Sequence, residues 1–187
     1  MATTSKKTGG SSGTKSLMSE IREDPVFVQF IGVYEKAKKM VNIEEMTEEI
    51  QGLHAGRTSR NMVGESRYSP KAMLEANSKD MSARSRMAEI RVKSDLRLST
   101  LRSAIAAMRK HILTKYKDDL KEEYGQITAQ KAFADRCIKP ALEYIADGET
   151  LLSNIDVLIK DIDAAGFALK RMGDLVALLS EGKGRVL

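Results

Sequence analysis

From Leu151 to Leu179 an apolar side chain recurs at an unbroken alternation of four and three residues: Leu151, Ile155, Leu158, Ile162, Ala165, Leu169, Met172, Val176 and Leu179. Four heptads of this kind define a helix with one continuous apolar seam, and such a helix must lie along other helices for most of its length. Few folds accept it, and the class it predicts is all-α, a helical bundle or coiled-coil-like protomer built from long amphipathic helices. Gly166 lowers helix propensity locally but leaves the spacing intact. The seam can close inside one chain or between copies. With few other helices to cover long seams, the reading leans to a homo-oligomer with Leu151, Ile155, Leu158, Ile162, Leu169, Met172 and Val176 at the contact.

A second long helix precedes it. No Gly or Pro occurs between Ala72 and Tyr124, and Ser69-Pro70 supplies a plausible start. At about 100° per residue, Met87, Ile90, Ser94, Leu98, Leu101, Ile105, Met108 and Ile112 fall in one narrow band that must face protein. Arg84, Arg91, Arg102 and Arg109, spaced 7, 11 and 7 residues apart, line one border of that band. Arg86, Lys93, Arg97 and Lys115 line the other. An apolar seam between two cationic rails therefore runs along the helix.

Two readings of the rails stand side by side. Arginines flanking a seam commonly snorkel and pair with acidic neighbours. Between residues 79 and 117, however, there are eleven cationic and only three acidic side chains, so local i,i+4 partners cannot neutralise most of them. A polyanion could, and the count tips the reading that way. The net charge of +5 alone would not, since solubility accounts for it. Its placement is informative: the 79–121 segment is strongly basic, whereas 17–56 and 122–187 are acidic.

The remaining segments are organised around these helices. Residues 1–16 are Ser, Thr, Gly and Lys with little to bury, which reads as a disordered basic tail. In the N-terminal helices, 17–56, Asp24-Pro25 should end a short helix near Glu23 and start a longer one. Val26, Phe30, Val33, Ala37, Met40 and Val41 are its expected core face. The Gly- and Ser-rich stretch from Gly52 to Pro70 reads as a long loop, with its basic part at 57–70. Arg57, Arg60, Arg67 and Tyr68 there are either solvated or available to phosphates and a base. The long basic helix occupies 71–124 and C-terminal amphipathic helices occupy 125–187, with Pro140 expected to kink or divide the first of them.

Catalytic signatures are missing from the pattern. There is no phosphate loop, dinucleotide fingerprint, HExxH or CxxC. The single cysteine, Cys137, lies on an apolar helix side without a neighbouring histidine, and reads as a core thiol. One cysteine forms no internal disulfide, His54 and His111 do not have zinc-site spacing, and no apolar run is long enough to span a bilayer. The N-terminus lacks the apolar block of a secretory signal. The expectation is a soluble intracellular binding protein, not an enzyme, with no cofactor, no metal and no membrane partner.

Three stretches carry a resemblance to a known family. The C-terminal region with ADRCIKPALEYIADGETLLSNIDVLIKDIDAAGFALKRMGDLVALLSEGK, including GFALK at 166–170, resembles the end of the UvsY family of phage recombination, repair and single-stranded-DNA-binding proteins. LMSEIREDPVF at 17–27 resembles that family's opening, and SPKAMLEA at 69–76 the start of its central helix. The similarity covers 17–27 and 69–183, in order and at low identity. The chain departs from the family in a leader of about sixteen residues, an inserted segment at 28–68 and a shorter stretch around Tyr124–Thr128.

The resemblance implies a ring-like homo-oligomer that binds single-stranded DNA in the host cytoplasm. It further implies contact with a RecA-like recombinase of the UvsX type and action on DNA coated by the phage single-stranded-DNA-binding protein. It places a basic pair near Arg109 and Lys110, beside His111, and gives the C-terminal helix a role in self-association. With the rails, it makes Arg84, Arg91, Lys93, Arg97, Arg102, Arg109 and Lys110 the expected DNA-binding residues of a recombination mediator. The alternative is a structural or scaffolding virion protein whose basic face binds an acidic protein.

Overall fold

The computed structural model describes residues 16–57 and 69–183, with side chains as far as 178. The secondary structure of the described residues is entirely helical. Helix α1 (Leu17–Glu23) is capped by Ser16, and α2 (Pro25–Met40) by Asp24, whose Oδ1 accepts from the Val26 amide at 2.8 Å. Helix α3 (Ile43–Ala55) is capped by Asn42. The long α4 (Pro70–Lys115) starts on a Ser69 cap with Pro70 in its first turn, where a missing N–H costs nothing. Helices α5 (Lys117–Tyr124), α6 (Ile127–Cys137) and α7 (Lys139–Lys183) complete the chain.

The helix expected at 71–124 is divided at Tyr116, and Gly125, at φ 63°, ends α5 in the backbone region that favours glycine. Pro140 divides the C-terminal region as expected: α6 stops at Cys137 and Pro140 falls in the first turn of α7. Gly148, by contrast, marks no boundary. Helix α7 runs straight through it, because a Cβ there would lie 2.7 Å from the Leu98 side chain; glycine lets α7 approach α4 closely.

Helices α4 and α7, each just under about 70 Å long at 1.5 Å per residue, form an antiparallel hairpin. α2 and α3 run alongside α4 in the opposite direction and α1 packs on α2, while α5 and α6 make the return at one end. The core is a chain of clusters down this rod. The first joins Phe27 and Phe30 to Leu98, Leu101, Ile105, Met108 and Ile112, and to Phe133, Ile138 and Tyr144. The second joins Ile50, Met87 and Ile90 to Leu151, Ile155 and Ile162. The third packs Met73 and Ala76 on Leu169, with Met172 at its edge.

Every member of the predicted α4 band is buried, including Ser94. On α2 the predicted face is partly wrong. Phe27, Phe30, Ala37 and Val41 are buried and Tyr34 is half-buried, whereas Val26, Val33 and Met40 lie exposed. α2 is apolar around more of its circumference than α4 can cover, so the spacing did not single out the covered strip. Tyr144 ties the end of α2 to α7, its hydroxyl donating to the Val41 carbonyl, and burial pushes that phenol up to about 12. None of the described helices is long and apolar enough to cross a membrane.

Candidate nucleic-acid interface

The hairpin decides what the cationic rails face. Antiparallel pairing of α4 and α7 brings Glu149, Asp156 and Asp163, spaced seven apart, against the arginine rail. Arg84 Nε donates to Asp163 Oδ1 at 2.6 Å and its Nη2 to Oδ2 at 3.2 Å. Arg91 makes the same two-pronged contact with Asp156, its Nη2 lying 3.1 Å from Oδ2. Arg102 reaches Glu149 at 3.1 Å and Asp95 at 3.3 Å. Arg109 reaches Asp135, on α6, at 2.6 Å. These four arginines are therefore rungs of an ion-pair ladder stitching α4 to α6 and α7.

The ladder lies at a solvated edge, with all four guanidinium groups about half-exposed beside exposed carboxylates. Hydrogen bonding to Asp163 raises the pKa of Arg84, that to Asp156 raises Arg91, and the Arg91 guanidinium in turn holds Asp156 below its ordinary value. Charged pairs at such an edge are weak and open to exchange with another anion.

The opposite rail is less uniformly paired. Arg86 donates to Glu49 on α3 at 2.6 Å and to Glu89 at 3.0 Å. Lys93 pairs with Glu89, and Glu89 is held below its ordinary value by Lys93 first and Arg86 second. Lys115 donates to Asp24 at 2.9 Å. Of the seven expected DNA-binding residues, Arg84, Arg91, Lys93, Arg102 and Arg109 are paired. Arg97 and Lys110 stand exposed, with no ion-pair partner among the described residues.

Two expectations are corrected. Arg57 is not a loop cation open to phosphate: its side chain is 1% exposed, donating from Nη1 to Asp161 at 2.5 Å and from Nη2 to Asp80 at 3.2 Å. Burial works against its charge, but these two carboxylates outweigh it and raise the pKa. Arg60, Arg67 and Tyr68 lie outside the described residues. Next, Leu151, Ile155, Ile162 and Leu169 are buried inside the protomer, with Leu158 and Met172 packed at the cluster edges. The heptad seam is consumed by α4 and α3 of the same chain, so these residues are not free to join subunits. Only Val176 of that set is exposed. His111, beside the Arg109 and Lys110 pair, has its Nε2 2.9 Å from Asp24 Oδ2.

Asp24 is a carboxylate held from several sides. It is buried and caps α2, while its Oδ2 meets His111 and Lys115 at 2.9 Å and accepts from the Tyr116 hydroxyl at 3.0 Å. Burial alone would raise its pKa, but these partners hold it well below the usual carboxylate range. Sequence reasoning saw only its capping role, because the other partners lie some ninety residues away.

Among the described residues no group of three or more His, Cys, Asp or Glu is placed to hold a metal ion. The chain matches no family model, no curated protein and no solved structure.

Proposed function

We propose that this chain is a non-catalytic recombination mediator of the UvsY type. It binds single-stranded DNA through α4, self-associates into a ring-like oligomer, and helps load a RecA-like recombinase onto DNA coated by a phage single-stranded-DNA-binding protein. The observation that carries this reading is the state of the α4 cations. Arg97 and Lys110 are exposed without an ion-pair partner among the described residues, and the arginine ladder presents half-exposed pairs into which phosphates can exchange.

With few aromatic residues in the chain, base stacking is minor and phosphate contacts dominate, so binding shows little sequence preference. Self-association uses what the hairpin leaves uncovered on α7. Phe167 of the GFALK stretch, Leu175 and Leu178 are exposed beyond the internal seam. The test is strand exchange by a UvsX-type recombinase on coated single-stranded DNA. Activity should rise on addition of this protein, and no dependence on it would overturn the reading.

The ladder itself favours a second reading. Because α6 and α7 neutralise most of one rail, the protomer also suits a structural or scaffolding virion protein whose remaining exposed cations bind an acidic protein. Retention on DNA-cellulose at moderate salt separates the two: a mediator is retained, a scaffolding protein is not.

A further inference from the structure

The face of α4 turned away from the core is anomalous for a solvated helix. Such a face ordinarily carries the charges, yet here they crowd the flanks of the buried seam. Stepping around the outer face gives Leu74, Ser78, Met81, Ser85, Ala88, Val92, Leu96, Ser99, Ser103 and Ala106, ten positions without one charged residue, followed by Lys110. Four of them are large apolar side chains standing in solvent: Leu74 is 71% exposed, Met81 50%, Val92 63% and Leu96 66%. The others are small. The Ser103 hydroxyl is already satisfied by the Ser99 carbonyl at 3.1 Å, so covering it leaves no donor stranded.

We propose that this stripe is the docking surface for a second copy of the chain, with the two α4 helices antiparallel about a two-fold axis at Val92. In that register each large side chain meets a small one. Met81 lies over the partner's Ser103, Leu96 over the partner's Ala88, and Leu74 along the stem of the partner's Lys110, while Val92 meets its own copy. Small residues between large ones let the helices approach and interdigitate. The spacing averages 3.6 residues per turn, so the stripe runs straight along the helix without supercoiling.

Charge agrees on one flank, where Glu89 of each copy lies near the partner's Lys93. From Leu74 to Lys110 the stripe is about 54 Å long, and at about 10 Å width two copies bury on the order of 1,000 Å², the lower bound for a specific interface. The absence of charge argues against nucleic acid as the occupant, and the serines argue against a lipid surface. This contact is separate from the α7 residues invoked for the ring; it covers only the stem of Lys110, whose ammonium stays in solvent and remains available to phosphate.

The experiment uses the full chain. Val92→Cys, at the axis, should form a disulfide-linked dimer under mild oxidation, while Ile127→Cys, equally exposed on α6, should not. Leu96→Asp should lower the particle mass in sedimentation equilibrium, to half where the α7 contact alone closes a ring or is absent, with helicity unchanged by circular dichroism. A Val92→Cys dimer yield no higher than that of Ile127→Cys overturns the proposal. So does a monomeric wild type at tens of micromolar, or a Leu96→Asp particle of undiminished mass.

Discussion

Asp24 shows how a single buried carboxylate can fix a junction. It starts α2, anchors α1–α2 to the end of α4 and satisfies Tyr116, so Asp24→Ala removes a cap and leaves a buried hydroxyl unpaired. The expected loss is about 2–4 kcal/mol, read by urea denaturation. Its pH dependence has a definite sign. With the folded-state pKa held below the ordinary 3.8, the unfolded chain takes up the proton first as acid is added. The stabilisation is therefore complete above about pH 5 and is lost as the pH falls through and below the ordinary value. Cys137 makes a second test. Burial pushes its thiol up to about 11, so alkylation at pH 8 should be slow in the native protein and fast once urea unfolds it. Rapid native labelling would contradict the core placement.

The helices themselves were largely legible in the sequence. The α4 band emerged complete from its spacing, and the Asp24-Pro25, Ser69-Pro70 and Pro140 signals fell at real helix ends, because caps and proline act through adjacent backbone. What periodicity cannot supply is the partner of a face. The heptads of α7 read equally well as subunit contact or as internal core, and α4 and α3 take them up. Ile155→Ala, at a fully buried position, should thus cost about 2–5 kcal/mol of protomer stability. A loss of stability below about 0.5 kcal/mol by urea denaturation would return the seam to the surface. The partners of the arginine rail escape the sequence for a related reason: they lie on other helices, beyond the reach of i,i+4 spacing. Part of the signal is in the sequence: Asp156 and Asp163 are seven apart on α7, matching the step of seven between Arg84 and Arg91, whereas Arg109 pairs with Asp135 on α6, which no such repeat marks.

The ladder also gives the DNA reading a sharp corollary. Asp156→Asn with Asp163→Asn releases Arg91 and Arg84 for phosphate, so affinity for single-stranded DNA should rise and its salt dependence steepen, with the fold retained. Unchanged binding would mean that these arginines serve only to join helices.

For the molecule as a whole, the protomer is a rod in which Asp24, Glu49, Asp135, Glu149, Asp156 and Asp163 hold α4 to its neighbours, while Arg97 and Lys110 face outward. Apolar side chains are likewise exposed on the α4 stripe, at the far end of α7 and on α2, and an assembled particle is where such surface would be used. Repeating a weak cationic site around such a particle multiplies its affinity for a continuous strand. The decisive measurement is fluorescence anisotropy of a labelled oligothymidylate titrated at increasing sodium chloride, with the wild type and an Arg97→Ala, Lys110→Ala variant. Wild-type affinity should fall steeply with salt, and the variant's log–log slope should be shallower by about 1.4 for two lost phosphate contacts on each bound protomer. An absence of binding in dilute buffer, or identical slopes for the two proteins, would contradict the assignment.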